Sequence, residues 1–179
     1  MIVAKLVDAG YEAYPVGGCV RDFLRGVAPQ DWDITTSAKP EEIIKLFPDS
    51  FYENAFLTVT VKTESDDLTL KEIEVTTYRN EGKYTDKRHP DNVNYAHTLE
   101  EDLSRRDFTI NAMALTLTGE IIDPFNGQKD LEEKMIRSVG DPMKRFDEDA
   151  LRMMRAVRFT AQLGYEVEEK TKAAIITLS

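Results

Sequence analysis

Two acidic residues on one face of a short strand, preceded by a glycine pair, limit this chain more than any other feature. An apolar run over 11–16 enters Gly17-Gly18, and after twelve intervening residues comes Asp31-Trp32-Asp33-Ile34. In an extended strand residues i and i+2 share a face, so Asp31 and Asp33 point together while Trp32 and Ile34 point into a core. Neighbouring carboxylates repel each other unless a cation lies between them. Mg²⁺ takes oxygen ligands, commonly one or two carboxylates completed by substrate phosphates. Paired glycines let backbone N–H groups approach a phosphate, a helix starting there adds its positive end, and Arg21 adds a fixed cation. The pattern predicts a nucleoside triphosphate bound at Gly17, Gly18 and Arg21, with its Mg²⁺ on Asp31 and Asp33. An Asp-x-Asp pair alone is also met as a cap or a turn; the glycine pair before it turns the reading toward catalysis.

The hydrophobic periodicity predicts the surrounding elements. A helix over 2–9 stops at Gly10. A strand follows over 11–16, where Pro15 suits an edge or a strand end. A short helix over 20–25 stops at Gly26, and 33–36 is a strand. Ser37 caps a helix with Pro40 and Glu41 in its first turn. Strands over 57–61 and 71–78 alternate, with Ile73 and Val75 facing one way and Glu74 and Thr76 the other. Residues 79–98 read as a long polar loop, 108–114 as a helical turn, and 115–122 as a hairpin about Thr118-Gly119. From Asp130 the pattern is helical throughout. A clear helix starts at Asp147 or Glu148 and runs to about Leu163, with Gly164 as its stop, and another begins at Glu166. Leu151, Met154 and Val157 read as a core stripe, Met113, Met143 and Met153 as core residues, and Cys19 as a small buried residue. The division is a mixed α/β domain over 1–138 and an unfinished helical unit over 139–179, as in a piece of a longer protein.

Composition removes several classes. The chain has 179 residues, 41% of them hydrophobic, which is enough for a core. No apolar run is long enough to span a membrane, and the N-terminus is too charged for a secretory signal. A single cysteine, Cys19, permits no internal disulfide and points to a reducing, cytoplasmic setting. With 23 Lys+Arg against 33 Asp+Glu, the net charge of −10 excludes a chain that coats nucleic acid by bulk charge. Residues 134–158 nonetheless hold seven basic and four acidic residues, so positive charge is concentrated there. His89 and His97 lie apart from any cysteine cluster, and no zinc site is expected.

Two further clusters carry chemistry. In Arg105-Arg106-Asp107-Phe108-Thr109-Ile110-Asn111, two cations beside a carboxylate suit phosphate or ribose hydroxyls, or form a surface ion-pair cluster. In Glu148-Asp149-Ala150-Leu151-Arg152, Asp149 and Arg152 are i, i+3 neighbours and Arg155 and Arg158 continue the row. A carboxylate beside a guanidinium offers acceptor and donor edges for reading a base, or is an intrahelical ion pair worth about 0.3–0.5 kcal/mol.

Val16-Gly17-Gly18-Cys19-Val20-Arg21-Asp22, Asp31-Trp32-Asp33, Glu74 to Arg79, Arg105 to Ala112 and Glu148 to Arg152 occur in this order. Together they resemble the N-terminal half of class II tRNA nucleotidyltransferases, the CCA-adding enzymes and their bacterial poly(A) polymerase relatives. The resemblance covers essentially the whole chain. It implies an α+β, polymerase-β-like head with a mixed, mostly antiparallel sheet, then the start of an all-α neck. It implies Mg²⁺-dependent, template-independent transfer of CMP and AMP from CTP and ATP to the 3′ end of tRNA. Asp31 and Asp33 would hold the metals, with Glu74 as a third carboxylate. Gly17, Gly18 and Arg21 would contact the triphosphate. Arg106 and Asp107 would recognise the ribose, supported by Asn111. Asp149 and Arg152 would pair with the base, and Arg155 and Arg158 would contact phosphates or support the template helix. The alternatives are A-adding or poly(A) polymerase activity and, in another class, a non-catalytic nucleotide- or metal-binding module. A full-length segment over 79–98 and Asn111-Ala112-Met113-Ala114 resemble the CCA-adding group. Three departures stand out: Leu57-Thr58 where the family often has Gly-Thr, Pro15 before the glycine pair, and a longer hairpin over 64–71.

Overall fold

A computed structural model describes residues 1–53, 56–82 and 93–179. The glycine turn and the alternating strands expected above form one sheet. Helix α1 (Ile2–Asp8) leads into β1 (Ala13–Val16), α2 (Gly18–Leu24), β2 (Asp33–Thr36), α3 (Pro40–Leu46), β3 (Ser50–Glu53), β4 (Thr58–Lys62) and β5 (Glu72–Thr77). A short pair, β6 (Arg79–Glu81) and β7 (Val93–Tyr95), precedes α4 (Leu99–Ser104), β8 (Ala114–Leu115), β9 (Ile121–Ile122) and α5 (Gly127–Glu132). The last elements are β10 (Met135–Ile136), α6 (Pro142–Glu148), α7 (Leu151–Leu163), β11 (Glu166–Val167) and α8 (Glu169–Leu178).

The main sheet has seven strands in the order β3-β4-β5-β2-β1-β8-β9. Every pairing in it is antiparallel except β2 with β5. The expected mixed, mostly antiparallel architecture is therefore present. One face is covered by α1 and α3: Ile2, Val3, Leu6 and Ile43 pack against Ile34, Val59, Val61, Ile73 and Val75. Leu6, Ile43, Val59 and Val75 are fully buried. Each such side chain contributes about 1.5–3 kcal/mol by leaving water. The opposite face carries Asp33 and Glu74, which are Cα partners across β2 and β5.

A second core joins residues 108–136 to the C-terminal helices. Phe108, Ile110 and Ile136 pack with Phe146, Ala156, Phe159, Tyr165 and Ala174. Phe108 and Phe159 meet edge-to-face with ring centroids 5.8 Å apart. β10 and β11 pair in parallel, and the Ser138 N–H donates to Thr171 Oγ1 at 3.1 Å. Buried Asp130 accepts from Thr109 Oγ1 and Arg137 Nε, and Arg137 also reaches Glu168 at 3.3 Å. Packing and polar contacts thus run straight across residue 138.

The differences from the expected elements have local causes. Ser37 does not cap α3. Lys39 stands at the cap, its N–H bound to Glu42 three residues on, while Ser37 Oγ accepts the Glu12 N–H. The ends of the expected 79–98 loop are β6 and β7, paired in register. Its middle, including His89, lies outside the described residues. The region after Asp130 is not wholly helical, because two-residue strands β10 and β11 are too short to show a period of two. The helix expected from Asp147 or Glu148 starts at Leu151: Asp149 is extended, at φ −137°, and separates α6 from α7. Leu151, Met154 and Val157 are 48, 67 and 58% exposed and are no core stripe, and Met143 is exposed too. The row over Ala156 and Phe159 faces inward instead. Pro15 lies in an interior strand, but β8 pairs with β1 only at Val16, so the missing N–H breaks no described ladder there. Leu57, where the resemblance implies a glycine, has φ +57°, in the left-handed region that glycine adopts without strain.

Candidate active site

Val16 ends β1, and Gly17 turns the chain into α2 at φ +80°. A Cβ at Gly17 would lie 2.8 Å from Arg106 Nη1 and 3.6 Å from an Asp33 carboxylate oxygen. Two side chains from distant segments thus converge on the bare face of this glycine. Asp33 opens β2, and Asp31 sits in the bend just before it. The strict strand argument holds for Asp33 alone, yet both carboxylates face one cleft of about 640 Å³.

That cleft is also lined by Gly17, Gly18, Arg21, Arg106, Asp107, Asn111, Asp149, Arg152, Arg155 and Arg158. Glu74 stands to one side. With Asp31 and Asp33 it lines an adjoining cavity of about 730 Å³. The three carboxylates do not close into a cage: among the described residues, no three His, Cys, Asp or Glu side chains are set to hold one metal ion.

Arg21 projects from α2 and donates to Asn111 Oδ1 at 2.8 Å, while pairing with Asp22 at 2.8 Å. Asn111 in turn donates to Asp107 Oδ1 at 3.3 Å, and Arg155 Nε donates to Asp107 Oδ2 at 2.6 Å. A chain of hydrogen bonds thus runs from α2 through the turn at Thr109–Asn111 to α7. The Phe159 ring lies beneath it, with the guanidinium carbons of Arg21, Arg155 and Arg158 at 5.3, 5.5 and 5.2 Å from its centroid. A ring face so placed is attractive to cations.

Arg152 is almost buried. Its Nη1 donates to Glu148 at 3.4 Å, its Nη2 to the Arg105 carbonyl at 3.2 Å, and its Nε lies 3.8 Å from Asp149. Asp149 Oδ1 accepts the Leu151 N–H at 2.9 Å. The acid–guanidinium pair is therefore held in place from both sides before any ligand arrives. Its members come from the junction of α6 and α7, with Asp149 outside the helix.

Burial pushes the Asp33 carboxyl above the usual carboxylate range; Arg106 opposes this and Asp31 adds to it. Asp102 in α4 is fully buried. It accepts from Thr35 Oγ1 at 3.1 Å, the Arg79 N–H at 3.2 Å and Arg105 Nε at 3.0 Å, and lies 3.7 Å from Arg106. Burial alone would raise its pKa, but Arg105 and Arg106 outweigh it and hold the carboxyl below its ordinary value. The buried Nε of Arg106 has no hydrogen-bond partner among the described residues.

Sequence reasoning gave no role to Asp102, Glu148, Phe159 or Gln162, the last of which lines the same cleft. Phe159 and Gln162 were in principle within reach, as the i+4 and i+7 neighbours of Arg155. Asp102 and Glu148 show their roles only through partners brought together by the fold.

A family model described as the poly(A) polymerase head domain matches residues 13–137. A CCA-adding enzyme of Lactobacillus helveticus is 53% identical over 177 residues, 97% of this chain and 43% of that protein. The crystal structure of the Bacillus stearothermophilus CCA-adding enzyme in complex with CTP superposes with a TM-score of 0.88. It is 44% identical and covers 98% of this chain and 41% of its own. A tRNA nucleotidyltransferase complexed with a primer tRNA and an incoming ATP analogue gives a TM-score of 0.80 at 32% identity, covering 99% and 49%. The chain spans less than half the length of the relatives it matches.

Proposed function

The chain belongs to the poly(A) polymerase head-domain family, and from that premise we propose that it carries the nucleotidyl-transfer centre of a CCA-adding enzyme. The substrates of that reading are CTP, ATP and the 3′ end of a tRNA. The RNA 3′ oxygen bonds to the α-phosphorus, the bond to the β-phosphate breaks, and pyrophosphate leaves. The observation that carries this is one cleft lined by a carboxylate pair, an Asp–Arg pair and further arginines.

The donor set suits a hard cation. Asp31 and Asp33 offer oxygen ligands on one cleft, and burial beside a second carboxylate disfavours Asp33 as a bare anion. Mg²⁺ held by Asp31 and Asp33 would neutralise charge on the reacting phosphates and the departing pyrophosphate. Glu74, the Cα partner of Asp33, supplies the third carboxylate on that face.

The remaining roles belong to the chain itself. Gly17 and Gly18 leave room for phosphate oxygens, and the first N–H groups of α2 have no intrahelical partner. Arg21, Arg155 and Arg158 bind phosphate charge, and the network through Asn111 and Asp107 keeps two of them in place. Arg106 and Asp107 present a donor and an acceptor to the ribose. Asp149 and Arg152 present an acceptor and a donor to the base edge, pre-set by Glu148 and the Arg105 carbonyl. Pre-organisation of this kind lowers the ordering cost of binding. The head over 1–138 then supplies the chemistry and 139–179 begins the selecting unit. No described helix is long and apolar enough to cross a membrane. Cytoplasmic residence belongs to the same proposal, supported by a single cysteine that is buried.

The test is incorporation of labelled CTP and ATP, separately and together, into tRNA lacking its 3′ CCA, with Mg²⁺ present. CMP addition followed by AMP is expected, and Asp33→Ala abolishes it. AMP addition alone would replace the proposal with an A-adding or poly(A) activity. A chain that neither incorporates nor binds CTP refutes it.

A further inference from the structure

The Asp31–Asp33 pair faces two cavities, and the nucleotide of the proposed function accounts for one. The second is lined by Trp32, Phe51, Thr60, Leu68, Lys71 and Glu74 beside the two aspartates. Strand register shows how it is built. Asp33 pairs with Glu74, Glu74 with Thr60, and Thr60 with Phe51. Directly paired residues share a face. One row therefore runs from the carboxylate across three strands to Phe51, on the face that α1 and α3 leave uncovered. At ~4.8 Å per strand the row is ~14 Å long.

Phe51 ends the row on β3, the edge strand, and 44% of it is exposed. Lys62 Nζ lies 5.9 Å from its ring centroid. The two cavities differ in chemistry. The first has seven arginines on its walls; the second has Lys71 as its one basic lining residue among the described residues, with four carboxylates and two aromatic rings. Such a wall is poor for a triphosphate. It suits a ligand that brings a flat base to an aromatic face and only a sparse phosphate charge. Bases stack on aromatic side chains with little regard to sequence.

We propose that Phe51 is a stacking platform for the acceptor strand, holding a base upstream of the 3′ nucleotide that reacts at Asp31 and Asp33. Lys62 and Lys71 flank the platform and meet the backbone phosphates. This rests on the nucleotidyl-transfer reading, and it places the two substrates on opposite sides of the carboxylate pair. The expected recognition is of single-stranded RNA, because a base inside a duplex already has both faces stacked on its neighbours.

Trp32 is the chain's one tryptophan, and it lines the second cavity but not the first. Its fluorescence, read with no CTP present, reports on this subsite. Titration with a short single-stranded RNA ending in 3′ CC should change Trp32 emission. Phe51→Leu should weaken that binding roughly tenfold, leave CTP affinity by calorimetry unchanged and leave Tm unchanged, while Phe51→Tyr keeps wild-type affinity. Lys71→Gln should reduce the salt dependence of RNA binding by about one phosphate contact. Equal RNA affinity of Phe51→Leu and wild type overturns the platform. A chain that binds CTP but not the RNA overturns the platform and leaves the nucleotide site standing. A chain that binds neither overturns both.

Discussion

Asp102→Asn isolates the buried charge beneath the arginine wall. The side chain is fully buried, takes three hydrogen bonds and faces two guanidiniums. Asparagine keeps the shape and one acceptor oxygen but removes the charge, so Arg105 and Arg106 lose their shared counter-ion. Removing one partner of a buried pair costs roughly 3–5 kcal/mol, and the isosteric change belongs at the lower end, about 3 kcal/mol. For a chain of this size that corresponds to a fall in Tm of roughly 6–12 °C. The pH dependence is the sharper signature. The Asp102 carboxyl is held below its ordinary value in the folded state. Its contribution is therefore present above the unfolded pKa of about 3.9 and is lost as pH falls through the folded value. The stability gap between wild type and variant, from urea unfolding at a series of pH values, should be constant near neutrality and close only below about pH 4. Other carboxylates titrate in both proteins and cancel in the difference. A gap under about 1 kcal/mol at pH 7, or one that persists unchanged to about pH 2.5, would refute this account of the wall.

Two further outcomes are expected. Gly17→Ala places a methyl 2.8 Å from Arg106 Nη1 at φ +80°. It should cost about 1–2 kcal/mol from the backbone alone and weaken CTP binding further by displacing Arg106, measured by thermal unfolding and calorimetry. Mg²⁺ should raise the Tm of the wild type and leave Asp33→Asn unmoved, because the variant keeps the packing but loses the ligand. Equal Mg²⁺-dependent shifts in the two proteins would remove Asp33 from the metal site.

The short-range parts of this molecule were legible. Gly17, Asp33 and Glu74 each follow from a turn requirement or an alternation over a few residues, and the sheet then brings them together. What was not legible depends on partners far along the chain. Nothing near Asp102 indicates that Thr35 and Arg79 will meet it, and nothing near Glu148 indicates that it will hold Arg152 in place. The Leu151-Met154-Val157 row has a helical period, but so does the row through Ala156 and Phe159, and periodicity alone does not say which faces inward. Ser37 is a good cap by type, but the backbone of Glu12 claims its hydroxyl. The two-residue strands β10 and β11 carry too little pattern to separate them from helix.

The core shared across residue 138 matters to anyone who shortens the gene. A cut there would look natural, since the sheet is complete before it. Yet Phe108, Ile110 and Ile136 are each fully buried, against side chains that follow the cut. Stripped of that cover, the three would forfeit roughly 5–9 kcal/mol, comparable to the whole stability of an ordinary domain. They would also leave a sticky apolar patch beside the cleft. The smallest piece that keeps these three side chains covered therefore runs on through α8.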